Sequence, residues 1–99
     1  MPTIKLLKRA ELELIDACEW YEKRQKGLSA RFRRELRDSL NFINLNPKLY
    51  EIKYNTDLRF AHLKKFPYVI IYWYDEHLST VFVTSIFHTK RNPEKFEQQ

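Results

Sequence analysis

Glycine occurs once in this 99-residue chain, at Gly27, and cysteine once, at Cys18. A single glycine leaves no phosphate-cradling loop: neither a P-loop nor a dinucleotide-binding G-x-G-x-x-G can be written. A single cysteine excludes an internal disulfide and a thiolate zinc site, and it fits a reducing compartment. His62, His77 and His88 show no metal-ligand spacing, so the sequence implies neither metal nor cofactor. Long apolar runs are also missing. The longest, residues 69–74, is far short of a membrane span, and the N-terminus has no signal-peptide run. The expectation is a cytosolic protein without membrane contact.

A hydrophobic fraction of 43% and an aromatic fraction of 15% support a packed core. The length fits one domain over residues 1–99. Lys and Arg number 18 against 13 Asp and Glu, a formal charge of +5. Such a balance favours polyanions or acidic proteins as partners.

Residues 3–7 read as an edge strand. Residues 10–26 read as a helix, with Leu14, Cys18 and Tyr21 on one stripe and Ile15 and Ala17 beside it. Gly27 falls where a left-handed residue would end that helix, and Ser29 is placed to cap the next. Leu28, Phe32, Leu36, Leu40 and Ile43 then repeat at helical period until Asn46-Pro47. Five carboxylates mark the first helix; Arg31, Arg33, Arg34 and Arg37 mark the second. Pairs such as Arg31–Glu35 and Arg34–Asp38 would make a solvated face. Further strands are expected at residues 50–54, 58–64, 68–74 and 80–87, with turns at 55–57 and 75–79. In the last strand Val81, Val83, Ser85 and Phe87 would share one face. Short connections make these strands an antiparallel meander. The fold class is therefore α+β: an N-terminal strand, then an antiparallel helical hairpin packed on a mainly antiparallel sheet.

Two basic clusters flank the strand-rich stretch. Arg59, His62, Lys64 and Lys65 open it; His88, Lys90 and Arg91 close it. A histidine can act as acid or base near neutral pH, and cations stabilise a phosphoryl group. Together they supply the residue types for metal-independent RNA cleavage, with His88 and Arg59 as catalytic candidates and the others binding substrate. Strand alternation, however, puts Phe60 and His62 opposite to Arg59 and Ala61. The bland alternative makes Lys64-Lys65 a solvated turn. It makes Phe66, Tyr68, Tyr72, Trp73 and Tyr74 core rather than base-stacking surface.

An ordered set of residues spans nearly the whole chain. It comprises Ala10, Glu19-Trp20-Tyr21, Gly27-Leu28, Arg31-Phe32 and Asn46-Pro47. It continues with Arg59, Lys65-Phe66-Pro67-Tyr68, Ile71-Tyr72, Ser85-Ile86-Phe87-His88 and Arg91-Asn92-Pro93. In this set the sequence resembles the RelE/ParE superfamily of type II toxin–antitoxin toxins, the plasmid-stabilisation proteins among them. The resemblance implies a compact α+β toxin and a cognate antitoxin that neutralises it. RelE-like members cut mRNA on the ribosome, whereas ParE-like members poison DNA gyrase. Ribosome-dependent members commonly carry an arginine just after the aromatic matching Tyr68, where this chain has Val69. Phe60 and His62 stand where such toxins carry strand lysines. The expectation is an mRNA-cleaving toxin that meets ribosome and mRNA. The alternatives are a gyrase poison, which needs no catalytic residue, or a degenerate antitoxin-binding member.

Overall fold

The computed structural model describes residues 3–53 and 56–90. Helix α1 (Lys8–Arg24) ends before the single glycine, its last turn closed by the Gln25 amide on the Tyr21 carbonyl. Gly27 immediately precedes helix α2 (Leu28–Leu45) and has φ 87°, a left-handed conformation that suits glycine. Ser29 therefore lies inside the first turn of α2 and is not its cap. The cap comes from Glu22. Its carboxylate accepts hydrogen bonds from the Gly27 amide (3.1 Å), the Ser29 amide (3.3 Å) and the Ser29 hydroxyl (2.7 Å). A carboxylate is the stronger acceptor and carries the charge that a helix N-terminus favours.

The Ser29 hydroxyl, and then the Gly27 amide, hold Glu22 below the ordinary carboxyl value of 4.5. A lowered folded pKa adds stability that is present above the unfolded value and lost as pH falls through the folded one. Glu22→Gln should therefore be less stable than the parent at neutral pH, and the gap should close below pH 4.5. A gap of constant size across the titration, followed by thermal melts, would remove the charge from this account.

The inward stripe of α1 is Ala10, Ala17 and Tyr21, with Leu14 and Cys18 packed beside it. Ile15 faces away and is exposed, because it lies off that stripe by a quarter turn or more. In α2, Phe32, Leu36 and Ile43 are buried, with Leu28 and Leu40 against them, as their helical repeat requires.

These helices pack on strands β1 (Thr3–Leu6), β2 (Arg59–His62), β3 (Tyr68–Asp75) and β4 (Thr80–His88), arranged in the order β1-β4-β3-β2. The two β3 pairings are antiparallel, and the edge strand β1 runs parallel to β4. The α+β expectation thus stands, with one parallel pair in a mainly antiparallel sheet. Two strand details differ from the sequence reading. Within residues 50–54 there is only an isolated bridge from Ile52 to Arg59; residues 54 and 55 lie outside the described set. The Arg59 guanidinium donates to the Lys48 and Tyr50 carbonyls (3.2 and 2.6 Å), so a side chain occupies acceptors that a ladder would need. In β4 the register jumps: Ile71 faces Ser85, but Tyr72 faces Val83. Thr84 is the extra residue of a bulge, its hydroxyl donating to the Ile71 carbonyl (3.1 Å). Alternation reverses there. Val81, Val83 and Ile86 enter the helix-side core, while Phe87 joins Val69 and Ile71 on the outer face.

Candidate functional site

Register decides which of the predicted site residues can meet. His88 lies opposite Tyr68, and His62 opposite Val69. Tyr68 belongs to the helix-side core and Val69 to the outer cluster. Residues directly opposite on paired strands share a face. His62 and His88 thus reach the same end of the sheet on opposite faces, with β3 between them. Arg59 is three residues from His62, about 10 Å along the strand, and its guanidinium is taken up by the two carbonyls. No bulge in β2 brings these groups together, so the single constellation expected from the sequence is not formed.

His88 itself is well placed at its own end. Its ring packs edge-on against Tyr68, with centroids 4.9 Å apart at 78°. Its Nδ1 accepts the Lys90 amide at 3.1 Å, so in the neutral ring the proton sits on Nε2. The segment is pinned by the Thr89 amide on the Pro67 carbonyl. Arg91, expected beside it, lies outside the described residues, as does the polar tail from residue 92 onward. Neither Tyr21 nor Tyr72 can act as an acid or base at neutral pH. Burial pushes both Tyr21 and Tyr72 up to about 12, and the Tyr72 hydroxyl donates to the Pro47 carbonyl at 3.0 Å.

Lys64 and Lys65 fall beyond the end of β2. Their amides donate to the Glu35 carboxylate at 2.6 and 3.2 Å, tying this segment to α2. Glu35 is thereby drawn away from Arg31, and among the described residues neither Arg31–Glu35 nor Arg34–Asp38 forms an ion pair. Three carboxylates on the two helices thus tie one segment to another: Glu22, which stays exposed, Glu35 and Glu13. Glu13 accepts the Ser85 hydroxyl and the Ile86 amide. The signal for Glu13 was its spacing, three residues after Ala10 and four before Ala17, on the inward stripe. Nothing comparable marked Glu22 or Glu35.

The outer face of the sheet is apolar. Val69, Ile71 and Phe87 are buried there, with Leu58 and Phe60 packed against them, and Trp73 stacks on Phe82 at 4.7 Å and 19°. Phe60 and Val69 stand at two of the three positions where the resemblance implies cations. The third such position, His62, is exposed. Among the described residues no three His, Cys, Asp or Glu side chains are grouped to hold a metal ion. None of the described helices is long and apolar enough to cross a membrane.

Solved structures share this architecture. The chromosomal ParDE system from P. aeruginosa superposes with a TM-score of 0.77 at 11% identity, over 91% of this chain and 98% of that one. The toxin–antitoxin complex RelBE from E. coli gives 0.70 at 18%, over 92% and 100%. The isolated E. coli RelE toxin gives 0.70 at 18%, over 99% and 95%. A comparison with curated protein sequences gives no match. The architecture is that of the RelE/ParE superfamily of toxins. Within it, a family model described as the ParE toxin of the type II toxin–antitoxin system parDE matches residues 4–93, and this chain belongs to that family.

Proposed function

We propose that this chain is the toxin of a type II toxin–antitoxin pair, neutralised by a cognate antitoxin, and that it acts in the cytosol on DNA gyrase by binding alone. The observation that carries this reading is the outer sheet face, where Phe60 and Val69 join an apolar cluster at positions where an RNA-cleaving relative would need cations. Val69, Ile71 and Phe87 are already buried within the chain, and apolar side chains at those positions cannot stabilise a phosphoryl transition state. The separation of Arg59, His62 and His88 supports the same reading, as does membership of the ParE family.

Purified toxin should inhibit gyrase supercoiling, and His88→Ala should inhibit equally. Primer extension on mRNA from cells expressing the toxin should find transcripts intact. Normal supercoiling at excess toxin would overturn the proposal. One contact favours a second reading, ribosome-dependent mRNA cleavage: His88 Nδ1 accepts the Lys90 amide, which fixes the ring at the end of β4. That reading gives His88 the acid–base role, with Lys90 and Arg91 on the phosphate. Its signature would be cuts within codons that disappear in folded His88→Ala. Growth unaffected by folded toxin would instead mark a degenerate, antitoxin-binding member.

A further inference from the structure

An open cleft of about 680 Å³ lies between α2 and the segment that follows β2. Arg31 and Arg34 line it from the helix, and Lys64 and Lys65 from the segment, while Leu28 and Phe66 supply apolar surface. Two carboxylates also line it, and they are not equivalent. Glu35 is engaged by the Lys64 and Lys65 amides; Asp38 is not. Four cations therefore face one uncommitted carboxylate, and none of the four is in an ion pair among the described residues. The Glu35 tie fixes the backbone that carries both lysines, so part of the ordering cost of binding is already met. There is no histidine, serine or cysteine in the lining, so the cleft is built for binding rather than chemistry.

The mixture of groups selects the ligand. A nucleic-acid backbone would satisfy the cations, but it would leave Leu28 and Phe66 uncovered and bring phosphates beside Asp38. A peptide can offer carboxylates to the cations, an amide to Asp38 and a side chain to the apolar surface. We infer that this cleft receives an acidic segment of the antitoxin, with one apolar side chain flanked by carboxylates. The inference rests on the reading of this chain as an antitoxin-neutralised toxin.

The test uses the full chain and the protein encoded by the adjacent reading frame. Arg31→Gln/Arg34→Gln/Lys65→Gln removes three cleft charges without placing new ones beside Glu35. Lys8→Gln/Lys23→Gln/Lys53→Gln removes three exposed charges elsewhere and serves as the matched control. The cleft variant should bind the antitoxin about tenfold or more weakly, from the loss of three partly exposed charge contacts, and the parent's advantage should shrink in high salt. The control should bind as the parent does. Equal binding by both variants would overturn the cleft assignment alone. No binding by the parent would overturn the antitoxin reading beneath it. Duplex DNA bound by the parent and lost in the cleft variant, with antitoxin binding unchanged, would reassign the cleft to nucleic acid.

Discussion

Phe32→Ala is expected to destabilise the fold by about 3–5 kcal/mol, the usual range for deleting a fully buried aromatic ring. Phe32 is 0% exposed and is the hub of an aromatic cluster. Its centroid is 5.2 Å from Tyr21, 5.2 Å from Phe66 and 5.0 Å from Tyr68. Those partners sit on α1, on the segment between β2 and β3, and on β3, so one ring joins α2 to each of them. Aromatic pairs contribute about 0.5–1.5 kcal/mol each beyond burial, which places the expected loss toward the upper end. A chain of this size has total stability of about 5–15 kcal/mol, so the variant should be marginal at room temperature. Phe32→Leu keeps most of the volume and should lose about 1–2 kcal/mol. Urea unfolding of both variants measures the difference. A loss below about 1 kcal/mol for alanine would mean the cluster repacks around the gap. Tyr68 also backs the His88 ring, so the alanine variant should broaden or shift the His88 resonances while the leucine variant leaves them near the parent's.

The parts of the fold visible in the sequence are those governed by period and punctuation. The apolar repeat Leu28–Phe32–Leu36–Leu40–Ile43 identified α2 because burial of one helical face needs that spacing and nothing else. The alternation and β-branched content of β3 and β4 identified the strands in the same way. What sequence reading missed are long-range hydrogen bonds, which have no local period. Ser29 has the hydroxyl of a cap, but α2 begins one residue earlier, at Leu28, and that hydroxyl donates to Glu22, seven residues before it, whose carboxylate also takes the Gly27 and Ser29 amides. The Tyr50 carbonyl falls in a stretch that reads as a strand, but Arg59 claims it. The bulge at Thr84 is equally silent: one inserted residue inverts two faces without changing the composition of either.

The candidate site divides along the same line. The residue types for RNA cleavage are all present in the chain, and composition reports them. Whether they meet depends on register, and register placed His62 and His88 on opposite faces. Val69 and Phe60 were noted in the sequence as departures from a cationic pattern. Only the pairing of Phe60 with Ile71, and the packing of Val69 and Phe87, turns those departures into one packed apolar cluster. Lys64 and Lys65, read beside His62, belong instead to the α2 cleft, because Glu35 fastens their backbone there.

Glu13→Ala should lower stability by about 2–4 kcal/mol, since each buried polar group left without a partner costs about 1–3 kcal/mol. Strand β1 supports β4 as far as the Leu7 amide, which donates to the Val83 carbonyl at 2.9 Å. Beyond that point the Glu13 side chain takes over from the backbone ladder. One carboxylate oxygen accepts the Ser85 hydroxyl at 2.7 Å and the Ile86 amide at 3.0 Å, and the other lies 3.6 Å from Arg9 Nε. Ser85 is 1% exposed, so water cannot replace the lost acceptor. Glu13→Gln keeps a side-chain oxygen at the same reach and should recover most of the loss. Ser85→Ala separates the two orphaned donors: added to Glu13→Ala it removes the stranded hydroxyl, so its further cost should be smaller than in the parent, and the double-mutant cycle measures the coupling. If Glu13→Ala unfolds within about 0.5 kcal/mol of the parent, the effect of an ordinary surface substitution, then Glu13 is a solvated carboxylate and β4 is held at this edge by packing alone. If the loss is as expected, the junction of α1 with β4 depends on one acidic side chain on an otherwise apolar stripe. A side-chain oxygen that accepts both donors is then required at residue 13 for the fold itself, whatever the toxin binds.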